Sequence, residues 1–163
     1  MIRPNGGLRY RRARLAAGAV VGVAMALGGL AAPASARPLS GPTSCGTGCA
    51  NINEFSNGGT KCQDINANAD FCLWYSPDME NGVWVWAGGA NSVPVITASF
   101  TDGDGKVRNN AASAANAGGC VDGIFVSPNY VGDVNWVNWG WGGNLTSNPP
   151  LRNNEASVHI ECD

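Results

Sequence analysis

The sequence contains very little histidine, and this shortage argues against several kinds of chemistry. His159 is the single histidine among 163 residues, and no two cysteines are separated by only two residues. Structural zinc sites are built from closely spaced cysteine and histidine ligands, so a zinc centre is not expected. His159 lies in an alternating apolar and polar run without an evident nucleophile beside it. We therefore assign no catalytic residue and do not expect an enzyme.

Basic residues are also scarce in most of the chain. Residues 37–163 contain all 12 acidic residues and only five basic ones, which gives this part a net charge of −7. Nucleic acids and anionic membranes attract proteins that carry a basic face. We therefore expect neither nucleic acid nor a membrane as a partner of the mature protein.

The beginning of the chain has the features of a secretory signal peptide. Residues 1–14 carry five arginines and no acid, and an apolar run follows from Leu15 to Ala32. The small residues of Ala34-Ser35-Ala36 are typical of a signal-peptidase site. We expect residues 1–36 to be removed and the mature protein to be secreted and extracellular. A retained membrane anchor is the alternative, because the apolar run is close to the minimum length of a span.

All six cysteines lie beyond the predicted cleavage site. An even number of cysteines in a small exported domain indicates disulfides, although the sequence alone leaves many pairings open. We expect three disulfides, one in each half of the domain and one closing a short N-terminal loop. The expected pairs are Cys62–Cys72, Cys120–Cys162 and Cys45–Cys49.

Short runs of β-branched and aromatic residues, separated by glycine, proline and asparagine turns, predict an all-β fold. Residues 37–61, which are rich in glycine and proline, are interpreted as a loop-like N-terminal arm. No long amphipathic helix is predicted. The predicted strands are residues 71–75, 83–87, 93–100, 111–117, 123–126, 134–139, 144–146 and 156–162.

Two copies of one pattern indicate that the domain is internally duplicated. The pattern Arg-Asn-Asn-x-Ala-Ser begins at Arg108 and again at Arg152, and Ser-Pro precedes it at Ser76 and Ser127. The first copy has about seven extra residues between these marks. Two modules, residues 62–117 and 118–163, each with four short strands, predict a double Greek-key β-sandwich stapled by disulfides.

Six tryptophans stand out in the mature sequence. Trp74, Trp84 and Trp136 lie in predicted strands and are expected to pack in the core. Trp139 and Trp141 flank Gly140 in a glycine-rich turn, where they are either core residues or exposed. Exposed tryptophans serve as anchors for a protein partner or as stacking platforms for a sugar ring.

The run Cys72-Leu73-Trp74 and the duplicated Asn-Asn-x-Ala-Ser element resemble the βγ-crystallin-like peptidase inhibitors, whose type member is the Streptomyces metalloproteinase inhibitor. The resemblance covers about residues 62–163. It implies a secreted, wedge-shaped β-sandwich of the βγ-crystallin type that blocks thermolysin-like zinc proteases.

A protease cleft accepts an extended loop more readily than a broad sheet face, so we expect a rigid loop to be inhibitory. The loops of the first module are favoured, because its roughly seven added residues are expected to lengthen residues 88–93 and have no obvious structural need in the shorter copy. The candidate loops are residues 88–93, 102–107 and 139–144. The candidate inhibitory residues are Gly88, Gly89, Ala90, Asn91, Ser92, Val93, Trp139 and Trp141.

The same fold family carries a calcium motif, Asn/Asp-Asn/Asp-x-x-Ser/Thr-Ser, and both copies here match it except at the last serine. Calcium prefers oxygen ligands such as those of asparagine and serine, although no carboxylate occupies the first two positions. The alternative is a turn, since asparagine adopts left-handed geometry readily. No cofactor is required, and weak calcium binding is the single cofactor considered. The candidate ligands are Asn109, Asn110, Ser113, Asn153, Asn154 and Ser157.

Two functions of other classes compete with inhibition of a secreted protease. One is a carbohydrate- or cell-surface-binding module that uses exposed tryptophans. The other is a calcium-stabilised structural or toxin-like crystallin protein. For all three functions we expect a monomer.

The signal peptide and the six exported cysteines give the first testable prediction. Intact-mass spectrometry of the secreted protein should show residues 37–163 less the six hydrogens lost from the six cysteines. Two or more free thiols, or a mass that includes the first 36 residues, would contradict it.

Overall fold

The computed structural model describes residues 47–162, which form two four-stranded β-sheets, one short α-helix and two single-turn 3-10 helices. The helix, α1, is Gly58–Ile65, and the 3-10 turns are Pro77–Met79 and Thr101–Gly103. The strands are β1 (Cys49–Asn51), β2 (Phe71–Ser76), β3 (Glu80–Trp86), β4 (Ser113–Asn116), β5 (Val121–Ser127), β6 (Val131–Val137), β7 (Gly142–Asn144) and β8 (Ser157–Glu161).

The two sheets have matching plans. The first has the order β3-β2-β4-β7 and the second the order β1-β6-β5-β8. An antiparallel hairpin, β2–β3 or β5–β6, starts each module, and both hairpins have an irregular register near their turns. The short β1 pairs with β6 in parallel. The predicted all-β, double Greek-key sandwich is confirmed.

In each module, the chain segment that follows the first hairpin pairs with the sheet of the other module. Strand β7 belongs to the second half of the sequence but pairs with β4 of the first. Val93 belongs to the first half but forms an antiparallel bridge with Val158 in β8. The two modules therefore share both sheets through backbone hydrogen bonds.

Strand β2 is buried on both faces, which explains its unbroken apolar run. Phe71 and Leu73 point into the core between the sheets, whereas Cys72 and Trp74 point into a second cluster. This second cluster also contains Cys62 of α1. Alternate residues of a strand face opposite sides, so two apolar faces require a continuous apolar sequence.

Helix α1 lies against the first sheet through glycines. A side chain on Gly58 would meet the backbone of Gly142 in β7, and one on Gly59 would meet the backbone of Asn116 and Gly140. Glycine is a poor helix former, so tertiary packing rather than intrinsic propensity stabilises this helix.

Several predicted elements are corrected by the structure. The N-terminal arm is not loop-like throughout, because β1 and the start of α1 lie within residues 37–61. Residues 93–100 do not form a regular strand and make only isolated bridges, at Val93 and Ser99. The short strand predicted at 144–146 lies instead at Gly142–Asn144. The six other predicted strands are found, with ends shifted by a few residues.

Two of the three predicted disulfides are confirmed, Cys62–Cys72 and Cys120–Cys162. The first joins α1 to β2, and the second joins the residue before β5 to the end of β8. Cys49 is also disulfide-bonded. Its predicted partner, Cys45, lies outside the described residues.

The extra residues of the first module are not where the sequence suggested. Val93 and Gly143 are at equivalent positions, because they pair with Val158 and Ala114, the residues that follow the serines of the two repeats. Val93 lies seven positions after the end of β3 at Trp86, whereas Gly143 lies six positions after the end of β6 at Val137. The loop at 88–93 is thus longer by only one residue. The other extra residues follow Val93.

Most of this added length forms a hairpin closed by the bridge between Ser99 and Lys106, and its side chains bind β3. Thr101 Oγ1 accepts the Val83 N–H at 3.0 Å, and Asp104 Oδ2 accepts the Gly82 N–H at 2.9 Å. The expectation that these residues have no structural need is therefore wrong.

One buried serine fixes the hairpin of each module. Ser157 Oγ accepts the Tyr130 N–H at 3.1 Å and donates to Ser127 O at 2.7 Å. In the first module, Ser113 Oγ accepts the Met79 N–H at 3.0 Å and donates to Ser76 O at 2.7 Å. Tyr130 and Met79 both have left-handed backbone geometry, which non-glycine residues seldom adopt and which the serine bonds help to hold.

The serine contacts give a stability prediction. Ser113→Ala and Ser157→Ala should each lower the free energy of unfolding by about 1–3 kcal/mol, because a buried or part-buried N–H loses its acceptor. Urea denaturation measures the change, with the exposed Ser56→Ala as the control. Values within the error of that control would show that the bonds do not hold the hairpins.

Candidate functional site

The two Asn-Asn elements form equivalent turns that lie side by side. Asn109 and Asn153 have positive φ angles of 63° and 58°. The Asn109 N–H donates to Glu155 O at 3.0 Å, and the Asn153 N–H donates to Ala111 O at 2.8 Å. Each turn therefore binds the other through its backbone, in the left-handed geometry that asparagine tolerates.

The second asparagine of each element supports its own turn. Asn110 Nδ2 donates to Lys106 O at 2.9 Å, and Asn154 Nδ2 donates to Pro150 O at 3.0 Å. The serine hydroxyls at the end of each element are buried and already make two hydrogen bonds, as described above. The asparagines and serines named as calcium ligands thus have structural roles, and asparagine and backbone oxygens are left as possible ligands at these turns.

Glu155 adds a buried carboxylate between the two turns. Its side chain is fully buried, and Oε1 accepts the N–H groups of Asn110 at 3.0 Å and Ala111 at 2.9 Å. The other oxygen, Oε2, is buried and has no hydrogen-bond partner. Burial raises the pKa of Glu155 from its ordinary 4.5 to about 7, although these backbone N–H groups act in the opposite direction.

Sequence reasoning missed Glu155, since its position in the motif accepts any residue. One signal was available: it is the single acid in either copy of the repeat. Among residues 47–162, no group of three or more histidine, cysteine, aspartate or glutamate side chains could hold a metal ion. Calcium binding at the Asn-Asn elements remains a prediction.

Trp139 and Trp141 are exposed on a turn whose backbone is held firmly. Their side chains are 51% and 37% exposed. The Gly140 N–H donates to Asn116 O at 3.0 Å, and the Asn116 N–H donates to Trp141 O at 2.9 Å. Within the turn, the Trp141 N–H donates to Asn138 O at 3.0 Å.

The N-terminal part of the chain adds two further bonds to this turn. The Gly59 N–H of α1 donates to Gly140 O at 2.9 Å, and Asn53 Oδ1 accepts the Asn138 N–H at 2.8 Å. The backbone therefore presents both tryptophan side chains from a fixed position. We call Asn138–Gly142 the tryptophan turn.

The loop at residues 88–93 is also tied down, although its tip is exposed. The Trp86 indole N–H donates to Asn91 O at 3.0 Å, and Asn91 Nδ2 donates to Gly88 O at 2.5 Å. The Gly89 N–H donates to Asp70 Oδ2 at 2.7 Å. Of the predicted inhibitory residues here, Gly89, Ala90 and Asn91 are exposed, whereas Val93 is buried against β8.

The remaining aromatic residues are mainly structural. Trp74 is buried, and Trp84 and Trp86 lie partly buried with ring centroids 6.1 Å apart. Trp136 packs edge-to-face on Phe125 at 6.0 Å. His159 packs on Tyr130 with ring centroids 5.0 Å apart.

Comparisons with known proteins assign neither a family nor a function to this chain. No protein-family model and no curated protein matches this sequence. A solved structure described as the evolution of the eye lens beta-gamma-crystallin domain fold has 13% identity and a TM-score of 0.46, with coverage of 59% of this chain and 88% of that chain. The N-terminal domain of protein S has 19% identity and a TM-score of 0.39, with coverage of 57% and 96%. These structural neighbours are βγ-crystallin domains, and membership of the inhibitor family stays a prediction.

Two further observations concern the compartment. Disulfides are typical of proteins in oxidising surroundings, and the structure contains them. Within residues 47–162, no helix is long and apolar enough to cross a membrane.

The raised pKa of Glu155 gives a pH prediction. Between pH 4.5 and 7 the folded protein retains a proton on Glu155 that the unfolded chain has released. The contribution of Glu155 to stability is therefore complete below pH 4.5 and is lost as the pH rises through about 7. Glu155→Gln should remove a loss on the order of 3 kcal/mol between pH 4.5 and 8.

Urea denaturation across this pH range measures the slope of stability in both proteins. In Glu155→Gln an amide nitrogen replaces the carboxylate oxygen that has no partner, which changes stability by the same amount at every pH. The slope of stability against pH is therefore the suitable readout, because this constant change does not affect it. Glu80→Gln, at an exposed glutamate, is the control. Equal slopes for wild type and Glu155→Gln would contradict the assignment.

Proposed function

We propose that this protein is a secreted inhibitor of a peptidase, and that the tryptophan turn is its principal contact surface. The observation that carries the proposal is the pair of exposed tryptophans on a turn fixed by backbone hydrogen bonds. Thermolysin-like metalloproteases are the target class implied by the resemblance of the Cys72-Leu73-Trp74 run and the duplicated element.

Exposure and side-chain type support a protein partner. Adjoining exposed apolar side chains mark interaction sites, and tryptophan is among the residues enriched in the energetic centres of interfaces. Trp139 and Trp141 are two of only a few large hydrophobic side chains exposed in residues 47–162. They lie two positions apart, so both can contribute to one contact.

Rigidity supports inhibition in particular. A loop that is ordered before binding loses little conformational entropy when it enters a cleft. The tryptophan turn begins at the end of β6 in one sheet and continues directly into β7 in the other. Helix α1 and Asn116 both form hydrogen bonds with it, so the backbone at Gly140 and Trp141 is restrained.

The loop at residues 88–93 is the second candidate surface. Its tip residues Gly89, Ala90 and Asn91 are exposed and its backbone is hydrogen-bonded, but it offers no large apolar side chain. The argument from added length no longer favours it. We therefore place the tryptophan turn first.

Carbohydrate binding is the second candidate function, because exposed tryptophan rings also stack on sugars. The same two residues would then act as the platform. Pull-down on insoluble polysaccharides separates the two functions, since an inhibitor is retained by an immobilised peptidase and not by the polysaccharide.

The tryptophan turn gives a test of inhibition. A panel of thermolysin-like, serine and cysteine peptidases should include at least one that the mature protein inhibits. Trp139→Ala with Trp141→Ala should raise the inhibition constant about 100-fold or more, since one central tryptophan contributes about 2 kcal/mol or more. The free energy of unfolding should change little, because both side chains are exposed.

A double variant, Val95→Ala with Val131→Ala, is the matched control, since these side chains are 37% and 59% exposed. It should inhibit as wild type does. Inhibition by the tryptophan double variant at full strength, together with loss of inhibition by Ala90→Gln, would move the surface to residues 88–93. No inhibition across the panel would overturn the proposal.

A further inference from the structure

A small cavity lies beside the start of β5, and the residues that line it belong to neither the Asn-Asn turns nor the tryptophan turn. Its volume is about 70 Å³, and its lining includes Asp70, Gly89, Ala90, Gly118 and Asp122. A single water needs roughly 10–15 Å³ of such space, so the cavity has room for an ion together with several waters.

Asp122 is the most unusual group in the lining. It lies in β5, opposite Val137 of β6 and Ile160 of β8, and its side chain is only 2% exposed. Its oxygen Oδ2 is buried and has no hydrogen-bond partner. A buried carboxylate oxygen without a donor is costly, and native structures satisfy such groups with a proton, a water or an ion.

Asp70 is a second carboxylate in the same lining, and the chain around it is well fixed. Its Oδ2 accepts the Gly89 N–H at 2.7 Å, and its backbone oxygen accepts the N–H groups of Ala117 at 2.9 Å and Gly118 at 2.8 Å. Burial, and second the charge of Asp70, hold the pKa of Asp122 well above its ordinary range. The charge of Asp70 therefore opposes ionisation of Asp122 when no cation is present.

We propose that this cavity is a calcium site, in which Asp122 and Asp70 supply carboxylate oxygens and backbone carbonyls and water complete the coordination. Calcium prefers oxygen ligands in flexible geometry, whereas the cavity offers no histidine and the sulfur of Cys120 is in a disulfide. With two carboxylates the site is weak, with a dissociation constant of about 10⁻⁴–10⁻³ M, the range of extracellular calcium modules.

The site is independent of the proposed inhibitory surface and differs from the Asn-Asn motif. Its neighbour is the loop at residues 88–93, because Gly89 and Ala90 line the cavity and Gly89 binds Asp70. Bound calcium would offset the negative charge of the carboxylates next to this loop. It should therefore raise the melting temperature and slow hydrogen exchange at Gly89.

Calorimetric titration of the mature protein with calcium chloride, and terbium luminescence sensitised by tryptophan, test the site directly. Wild type should bind one ion in the cavity. Asp122→Asn and Asp70→Asn should each weaken binding at least tenfold. Asp122→Asn keeps the shape of the side chain, so an unchanged near-ultraviolet circular dichroism spectrum confirms that the variant is folded.

The matched control removes the first asparagine side chain of each motif without disturbing the turns. Asn109→Gly with Asn153→Gly suits the positive φ angles there and should retain cavity binding at the wild-type affinity. Binding lost in this control and kept in Asp122→Asn would place calcium at the motif and overturn the proposal. An absence of binding by wild type at millimolar calcium, with an unchanged melting temperature, would also overturn it.

Discussion

Each half of this protein completes the sheet of the other half, and the rest of the structure depends on that exchange. Strand β7 adds to β4, and Val93 adds to β8, so each half contributes one segment to the sheet of the other. The Asn-Asn turns lie next to one another and exchange the hydrogen bonds from Asn109 and Asn153. Because these pairings join distant parts of the sequence, neither half can satisfy its own backbone alone.

The exchange also explains why the two candidate loops are rigid. The chain from β3 to Val93 leaves one sheet and joins the other, and the chain from β6 to β7 makes the reverse crossing. Both ends of each loop are therefore fixed by strands on opposite layers. A loop held in this way presents its tip without much conformational freedom, which suits binding.

The sequence predicted the strands well where β-branched and aromatic residues dominate, as in β2 and β5, because burial on a pleated sheet selects those residues. It failed for α1, because glycine is a poor helix former and Gly58 and Gly59 are selected by close packing on the neighbouring backbone. It placed a strand at residues 93–100, although most of that segment has no continuous partner.

The candidate site was only partly predictable. The Asn-Asn elements were visible as a repeat, and their turn geometry follows from asparagine itself. Glu155 and Asp122 were not identified, because the groups that surround them are far away in sequence. The N–H groups that bind Glu155 belong to residues about 45 positions earlier. When tertiary contacts bury an acidic side chain, the neighbouring sequence shows no distinctive pattern. For Asp122 the one local signal is strand alternation, which places it on the same face of β5 as the buried Ile124.

The hairpin closed by Ser99 and Lys106 has a consequence for behaviour at high concentration. Exposed strand edges are templates for intermolecular pairing and aggregation. Here Thr101 and Asp104 occupy N–H groups at the edge of β3, while Phe55 exchanges hydrogen bonds with Gly142 in β7. The Val93 segment pairs with β8, and β1 is only three residues long. The added hairpin thus helps to close the lateral edges of the sandwich, which should favour solubility over ordered self-association.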